Sequence, residues 1–123
     1  MSRILVLDDN ADIIVLMKII LEQWGFEVIS ARNGEEGLNA LSTAHPDAII
    51  SNFRMPHMDG MAFLEHIRIH SEWDSIPFVM MSGLFSEEFG QVAMERGANA
   101  FLTKPFRMTE LSTIFHNLNL KTN

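Results

Sequence analysis

The chain contains no cysteine, which excludes disulfides, thiolate metal sites and cysteine nucleophiles together and fits a reducing compartment. It is also short of cations, with 9 Lys and Arg against 16 Asp and Glu and a formal charge of −7. Binding to a nucleic-acid backbone needs clustered positive charge, so no direct nucleic-acid partner is expected. No apolar run approaches the ~18 residues of a membrane span. Met1-Ser2-Arg3 leads straight into a strand-like run without a cleavable signal pattern. The expectation is a cytoplasmic protein with no membrane partner. Proline and glycine are few, 4 and 7, which excludes collagen-like and low-complexity chains. What remains is 123 residues, 47% hydrophobic and 20% charged, the size and mix of a single globular domain over residues 1–123.

The hydrophobic pattern alternates between two periods. Ile4-Leu5-Val6-Leu7 is a short apolar run ending at Asp8 and reads as a strand buried on both faces. Asn10 or Asp12 then caps a helix whose apolar positions Ile13, Leu16, Met17, Ile20, Leu21 and Trp24 have helical spacing, with Gly25 placed for a left-handed C-terminal cap. Phe26 to Ala31 reads as a second strand. Asn33-Gly34 is either a hairpin turn or a helix start; Glu36, three residues after Asn33, resembles a capping box and favours the helix. Ala48 to Asn52 is a third strand, and a third helix starts near Asp59-Gly60 and runs to about His70. Pro77 to Ser82 is a fourth strand, followed by a helix capped by Ser86 and ended by Gly97. Ala100-Phe101-Leu102 is a fifth strand, and Met108, Leu111, Ile114, Phe115 and Leu118 mark a last amphipathic helix. This alternation predicts an α/β, flavodoxin-like, doubly wound five-stranded parallel sheet in order 2-1-3-4-5 with five helices.

In such sheets the loops at the carboxyl ends of the strands converge on one edge, and ligands bind there. That edge collects Asp8 and Asp9 after the first strand, Asn52 at the end of the third, Ser82 at the end of the fourth and Lys104 just past the fifth. Taken singly, each has an ordinary reading: carboxylates near a helix N-terminus, a loop hydroxyl, a surface lysine. Together they make a set of hard oxygen donors with an ammonium, suited to a divalent cation such as magnesium and to a phosphoryl group.

These residues carry a resemblance. From Ile4 to about Leu118 the chain resembles the receiver domain of bacterial two-component response regulators, the single-domain chemotaxis regulators among them. The matching segments are Leu5-Val6-Leu7-Asp8-Asp9-Asn10, Pro46 to Asn52, Met55-Pro56-His57-Met58-Asp59-Gly60, Met80-Met81-Ser82-Gly83 and Phe101 to Phe106. The resemblance implies a phosphorelay switch in which an Asp at the end of the third strand takes a phosphoryl group from a sensor histidine kinase or phosphotransfer protein. It further implies Mg2+ held by Asp9 directly, by Asp8 partly through water, by the position of Asn52 and by the Arg54 backbone carbonyl. Ser82 and Lys104 would grip the phosphoryl oxygens. Ser82 and Phe101 would form the switch, read by a downstream protein on the face of the fourth helix, fifth strand and fifth helix. Phe101 equally reads as a core or edge phenylalanine, and Met80 and Met81 as core filler.

The departure lies at the phosphoacceptor, where this sequence has Asn52. A carboxylate can attack phosphorus, whereas a neutral amide oxygen is a poor nucleophile, so the site as written should not be phosphorylatable and should hold Mg2+ weakly. Ser51 is expected to face the other side of the sheet. Asn52 is either a natural loss, giving a pseudo-receiver that works as a protein-binding module, or an engineered change in an ordinary receiver. His57, Gly37 and Gly83 are milder departures. No output domain fits in 123 residues, so the reading is a stand-alone receiver and not an enzyme, with any regulated domain either on a separate chain or trimmed away. A remote alternative is a haloacid-dehalogenase-type phosphohydrolase, but that family separates its first two Asp residues by one position, and Asp8 and Asp9 are adjacent.

Overall fold

The five apolar runs form five parallel strands. The structure, a computed structural model, describes residues 2–83 and 87–120. The strands are β1 (Arg3–Leu7), β2 (Glu27–Ala31), β3 (Ala48–Asn52), β4 (Phe78–Ser82) and β5 (Ala100–Thr103). They lie in one sheet in the order β2-β1-β3-β4-β5, and each neighbouring pair is parallel. The helices α1 (Ala11–Gln23), α2 (Gly34–Ala44), α3 (Gly60–Arg68), α4 (Glu87–Glu95) and α5 (Met108–Asn117) alternate with them.

Alternation of side chains along each strand sends residues to two cores, one per face. Ile4, Val6, Ile50, Val79, Met81 and Leu102 pack with Met17 and Leu21 of α1 and with Leu111 and Phe115 of α5. On the other face Leu5, Leu7, Ile49, Phe78 and Met80 pack with Leu41 of α2, with Phe63, Leu64 and Ile67 of α3, and with Ala93 of α4. Each central strand is therefore apolar at both parities, which is why the sequence shows continuous runs there. Met80 and Met81 are buried filler, one in each core.

Local chemistry sets the helix ends. Asn10 caps α1, its side chain accepting from the Asp12 N–H at 2.9 Å. Asn33 caps α2 by accepting from the Glu36 N–H, so Asn33-Gly34 is a helix start and not a hairpin. Glu36 reaches back one residue further than an ordinary capping box and accepts from the Arg32 N–H. Gly25 and Gly97 adopt φ of 93° and 114°, the left-handed geometry expected after α1 and α4. The expected cap Ser86 lies outside the described residues.

One boundary differs. α3 ends at Arg68 rather than about His70. The Arg68 guanidinium donates to the carbonyls of Trp73 and Ile76, on the following loop, and of Gly97 after α4. Those bonds fold the loop back over the helix end, where two more helical residues would point it away.

Candidate functional site

The strand register brings the carboxyl ends together. Leu7, the last residue of β1, pairs with Ser51; Asn52 pairs with Met81, and Ser82 with Thr103. Asp8, Asn52, Ser82 and Lys104 thus follow from neighbouring strands onto one edge of the sheet. Backbone bonds tie the loops that leave it: Phe53 N–H donates to Met81 O at 2.7 Å and Lys104 N–H to Ser82 O at 2.6 Å.

Asp8 is fully buried, and an unpartnered carboxylate there would be costly. It has partners on both oxygens. Oδ1 accepts from the Asn10 N–H at 2.9 Å, and Oδ2 accepts from Lys104 Nζ at 2.8 Å. Lys104, expected to hold phosphoryl oxygens, is held here by Asp8. Asp9 is exposed. Asn52 and Ser82 are buried at 8% exposure each. The Asn52 carboxamide Nδ2 donates to the Arg54 carbonyl at 2.7 Å. Ser51 is fully buried, its Oγ donating to Asn52 O. Its register partners Leu7 and Met80 belong to the core under α2, α3 and α4, so Ser51 faces away from the Asn52 side.

A divalent cation would need oxygen donors that are free to turn to it. Asp9 offers a carboxylate. The Arg54 carbonyl is engaged by the Asn52 amide, and both Asp8 oxygens are engaged as described. Among the described residues no group of three or more His, Cys, Asp or Glu is placed to hold a metal ion. With an amide in the third acidic position, the donor set does not fit a strongly held Mg2+.

Three close contacts carried no sequence signal. Gly60, the first residue of α3, lies so close to β3 that a Cβ there would stand 2.3 Å from the Asn52 carbonyl oxygen. Gly60 N–H donates to Phe53 O at 2.7 Å, so the missing side chain lets the helix start clamp the site loop. Phe53, next to Asn52, packs on Phe89 of α4 with ring centroids 4.9 Å apart. Phe101 is half-buried against α4 at Gly90, where a Cβ would stand 2.5 Å from its ring. A groove of about 350 Å³ opens beside it, lined by Gly90, Gln91, Met94, Phe101 and Thr103.

Comparison with known proteins agrees with this geometry. Residues 4–116 match the response regulator receiver domain family, and the chain belongs to that family. It is 35% identical over 109 residues to the phosphate regulon transcriptional regulatory protein PhoB of Escherichia coli, a match covering 89% of this chain and 48% of that protein. It is 35% identical over 112 residues to the alkaline phosphatase synthesis transcriptional regulatory protein PhoP of Bacillus subtilis, covering 90% and 45%. The chain spans about half the length of these curated relatives. Among solved structures it is similar to a putative response regulator from Chloroflexus aurantiacus, with TM-score 0.91, 29% identity and coverage of 95% and 96%. It is also similar to the chemotaxis protein CheY4 of Vibrio cholerae, with TM-score 0.87, 32% identity and coverage of 95% and 98%. The family membership removes the phosphohydrolase alternative. Receiver domains are signalling modules of two-component systems, generally non-enzymatic, that interact with histidine kinases or phosphotransfer proteins and generally bind Mg2+ at the phosphorylation site. No helix among the described residues is long and apolar enough to cross a membrane.

Proposed function

We propose that residues 1–123 form a single cytoplasmic receiver domain that takes part in two-component signalling by protein contact, with phosphoryl transfer disabled at Asn52. The observation that carries this reading is Asn52 at the end of β3, on the edge that also gathers Asp8, Ser82 and Lys104. The amide has no nucleophilic oxygen to match a carboxylate, while the groups that would hold phosphoryl oxygens remain. On the input side the partner is a sensor histidine kinase or phosphotransfer protein, engaged without a lasting covalent product. On the output side a downstream protein uses the face of α4, β5 and α5. Support for that face comes from the half-exposed apolar side chains Phe89, Met94 and Met108 and from the groove beside Phe101. Ser82 and Phe101 are the switch pair in this reading.

The test is to restore the carboxylate. Asn52→Asp incubated with acetyl phosphate and Mg2+ should attack phosphorus through a carboxylate oxygen, release acetate and carry an acyl phosphate. Intact-protein mass spectrometry should show one phosphoryl adduct, labile to hydroxylamine, on the variant and none on the parent. A folded variant without an adduct would show that the strand-end constellation has another role. An adduct on the parent would place the acceptor at Asp8, Asp9 or Ser51.

A further inference from the structure

The Arg54 carbonyl is the backbone oxygen that the receiver reading gives to the cation, and in this chain it accepts the Asn52 Nδ2–H at 2.7 Å. An aspartate at position 52 has no hydrogen to donate. Its carboxylate and the Arg54 carbonyl would face each other as two acceptors, and a cation or water would have to stand between them. The amide removes that need. It also lowers the local charge: Asp8, Asp9 and Lys104 together carry one net negative charge, and an aspartate at 52 would double it beside the fully buried Asp8. From this geometry we infer that the Asn52 carboxamide takes the place of the divalent cation as the partner of the Arg54 carbonyl. The end of β3 is thereby held in one arrangement with or without Mg2+.

The inference rests on the receiver reading and deepens it. In a receiver with an acidic triad a bound cation would bridge the carboxylates and the loop carbonyl. This chain instead occupies those groups with two hydrogen bonds of its own, Asn52 to Arg54 and Lys104 to Asp8. For Mg2+ to take the Arg54 oxygen it must compete with the hydrogen bond from the Asn52 amide, and the site has one ligand charge fewer to repay the loss. Mg2+ should therefore bind at least about tenfold more weakly than to Asn52→Asp.

The experiment compares the parent with Asn52→Asp and Asn52→Leu, the last keeping the side-chain shape without the donor. Thermal unfolding is followed in EDTA and in millimolar MgCl2, and Mg2+ is titrated against the backbone amide resonances of Phe53 and Met55. The parent should melt at the same temperature in both buffers. Asn52→Asp should melt below the parent in EDTA and rise on adding Mg2+, and Asn52→Leu should melt below the parent in both. An Asn52 side-chain amide proton should exchange with solvent more slowly than that of the exposed Asn39. The inference is overturned if the parent gains as much from Mg2+ as Asn52→Asp does, if Asn52→Leu matches the parent, or if the Asn52 amide exchanges as fast as Asn39. Should Asn52→Leu not fold, the exchange rate and the Mg2+ titration of the parent still decide. Failure here with a phosphoryl adduct on Asn52→Asp leaves the receiver reading standing, whereas a folded Asn52→Asp without an adduct overturns that reading as well.

Discussion

Lys104 Nζ lies 2.8 Å from Asp8 Oδ2, joining groups 96 residues apart in the chain. The bond ties the loop after β5 to the end of β1, across the width of β3 and β4. Asp8 is fully buried and the Lys104 side chain is 20% exposed, so the pair is shielded from screening far more than the surface pairs Arg3–Glu27 and Arg32–Glu36.

Removing the lysine should therefore be expensive. Lys104→Ala leaves a buried carboxylate with only its Asn10 hydrogen bond, and the expected loss is about 2–4 kcal/mol. Asp8→Asn/Lys104→Met should lose less than the two single changes added together, since the double variant buries no unpaired charge. Urea unfolding of the four proteins measures the coupling, and strict additivity would mean the pair contributes nothing.

Gly60→Ala should destabilise the site edge through sterics alone. The new Cβ would meet the Asn52 carbonyl at 2.3 Å, a backbone atom inside the sheet that cannot swing aside. The expected cost is about 2–3 kcal/mol, in spite of the gain in helix propensity from replacing glycine. Amide resonances of Asn52, Phe53 and Arg54 should shift together, because the Gly60 N–H to Phe53 O bond must lengthen as the helix start backs away. A variant as stable as the parent would show that the helix moves freely.

Most of the fold was legible because strand burial on both faces and helix caps are written in short windows. The Ile4 to Leu7 run, the Asn33 cap and the glycines after α1 and α4 each specify their geometry within a few residues. The site was legible as positions, since Asp8, Asn52, Ser82 and Lys104 follow strand ends. Their bonds were not. That Lys104 reaches Asp8 depends on only two strands, β3 and β4, lying between β5 and β1, and that Asn52 reaches Arg54 depends on the turn the loop makes. The α3 end was misplaced because Arg68 is restrained by carbonyls from distant loops, which no local pattern announces. Gly37 and His57 look like simple departures in sequence, yet each has a spatial account. A Cβ at Gly37 would stand 2.5 Å from the buried Leu7, so the helix sits close to β1 there. His57 adopts φ of 69°, a left-handed conformation in which His is among the better tolerated side chains.

Glu36 gives a pH dependence whose sign follows from its bonds. The Arg32 backbone N–H, and then the Arg32 side chain, hold its carboxyl below the ordinary value of 4.5. Since the folded pKa is depressed, the contribution to stability is fully present above the unfolded value and fades as pH falls through the folded one. Glu36→Gln should flatten that part of the acid limb of a stability curve while leaving neutral-pH stability little changed, because the group is exposed to solvent. Urea midpoints from neutral to acidic pH test this; parallel acid limbs for the two proteins would contradict it.

Gly90→Ala should move Phe101. A Cβ at position 90 would stand 2.5–2.8 Å from three atoms of the Phe101 ring, which is half-buried on β5 at the edge of the sheet. Unlike the Asn52 carbonyl, the ring has somewhere to go: the groove bordered by Gln91, Met94 and Thr103 opens beside it. The helix gains about 1 kcal/mol in propensity from losing a glycine, and the displaced ring loses apolar burial of similar size, so net stability should change by less than about 1 kcal/mol. The position of the ring should change far more. With fluorinated phenylalanine in place of Phe, the Phe101 resonance should shift and become more sensitive to replacing water by D2O, while the resonances of Phe63 and Phe115, buried in the two cores, stay where they are. If the Phe101 signal is unmoved, α4 has shifted instead, and the seat of the ring belongs to the helix rather than to the missing side chain at Gly90.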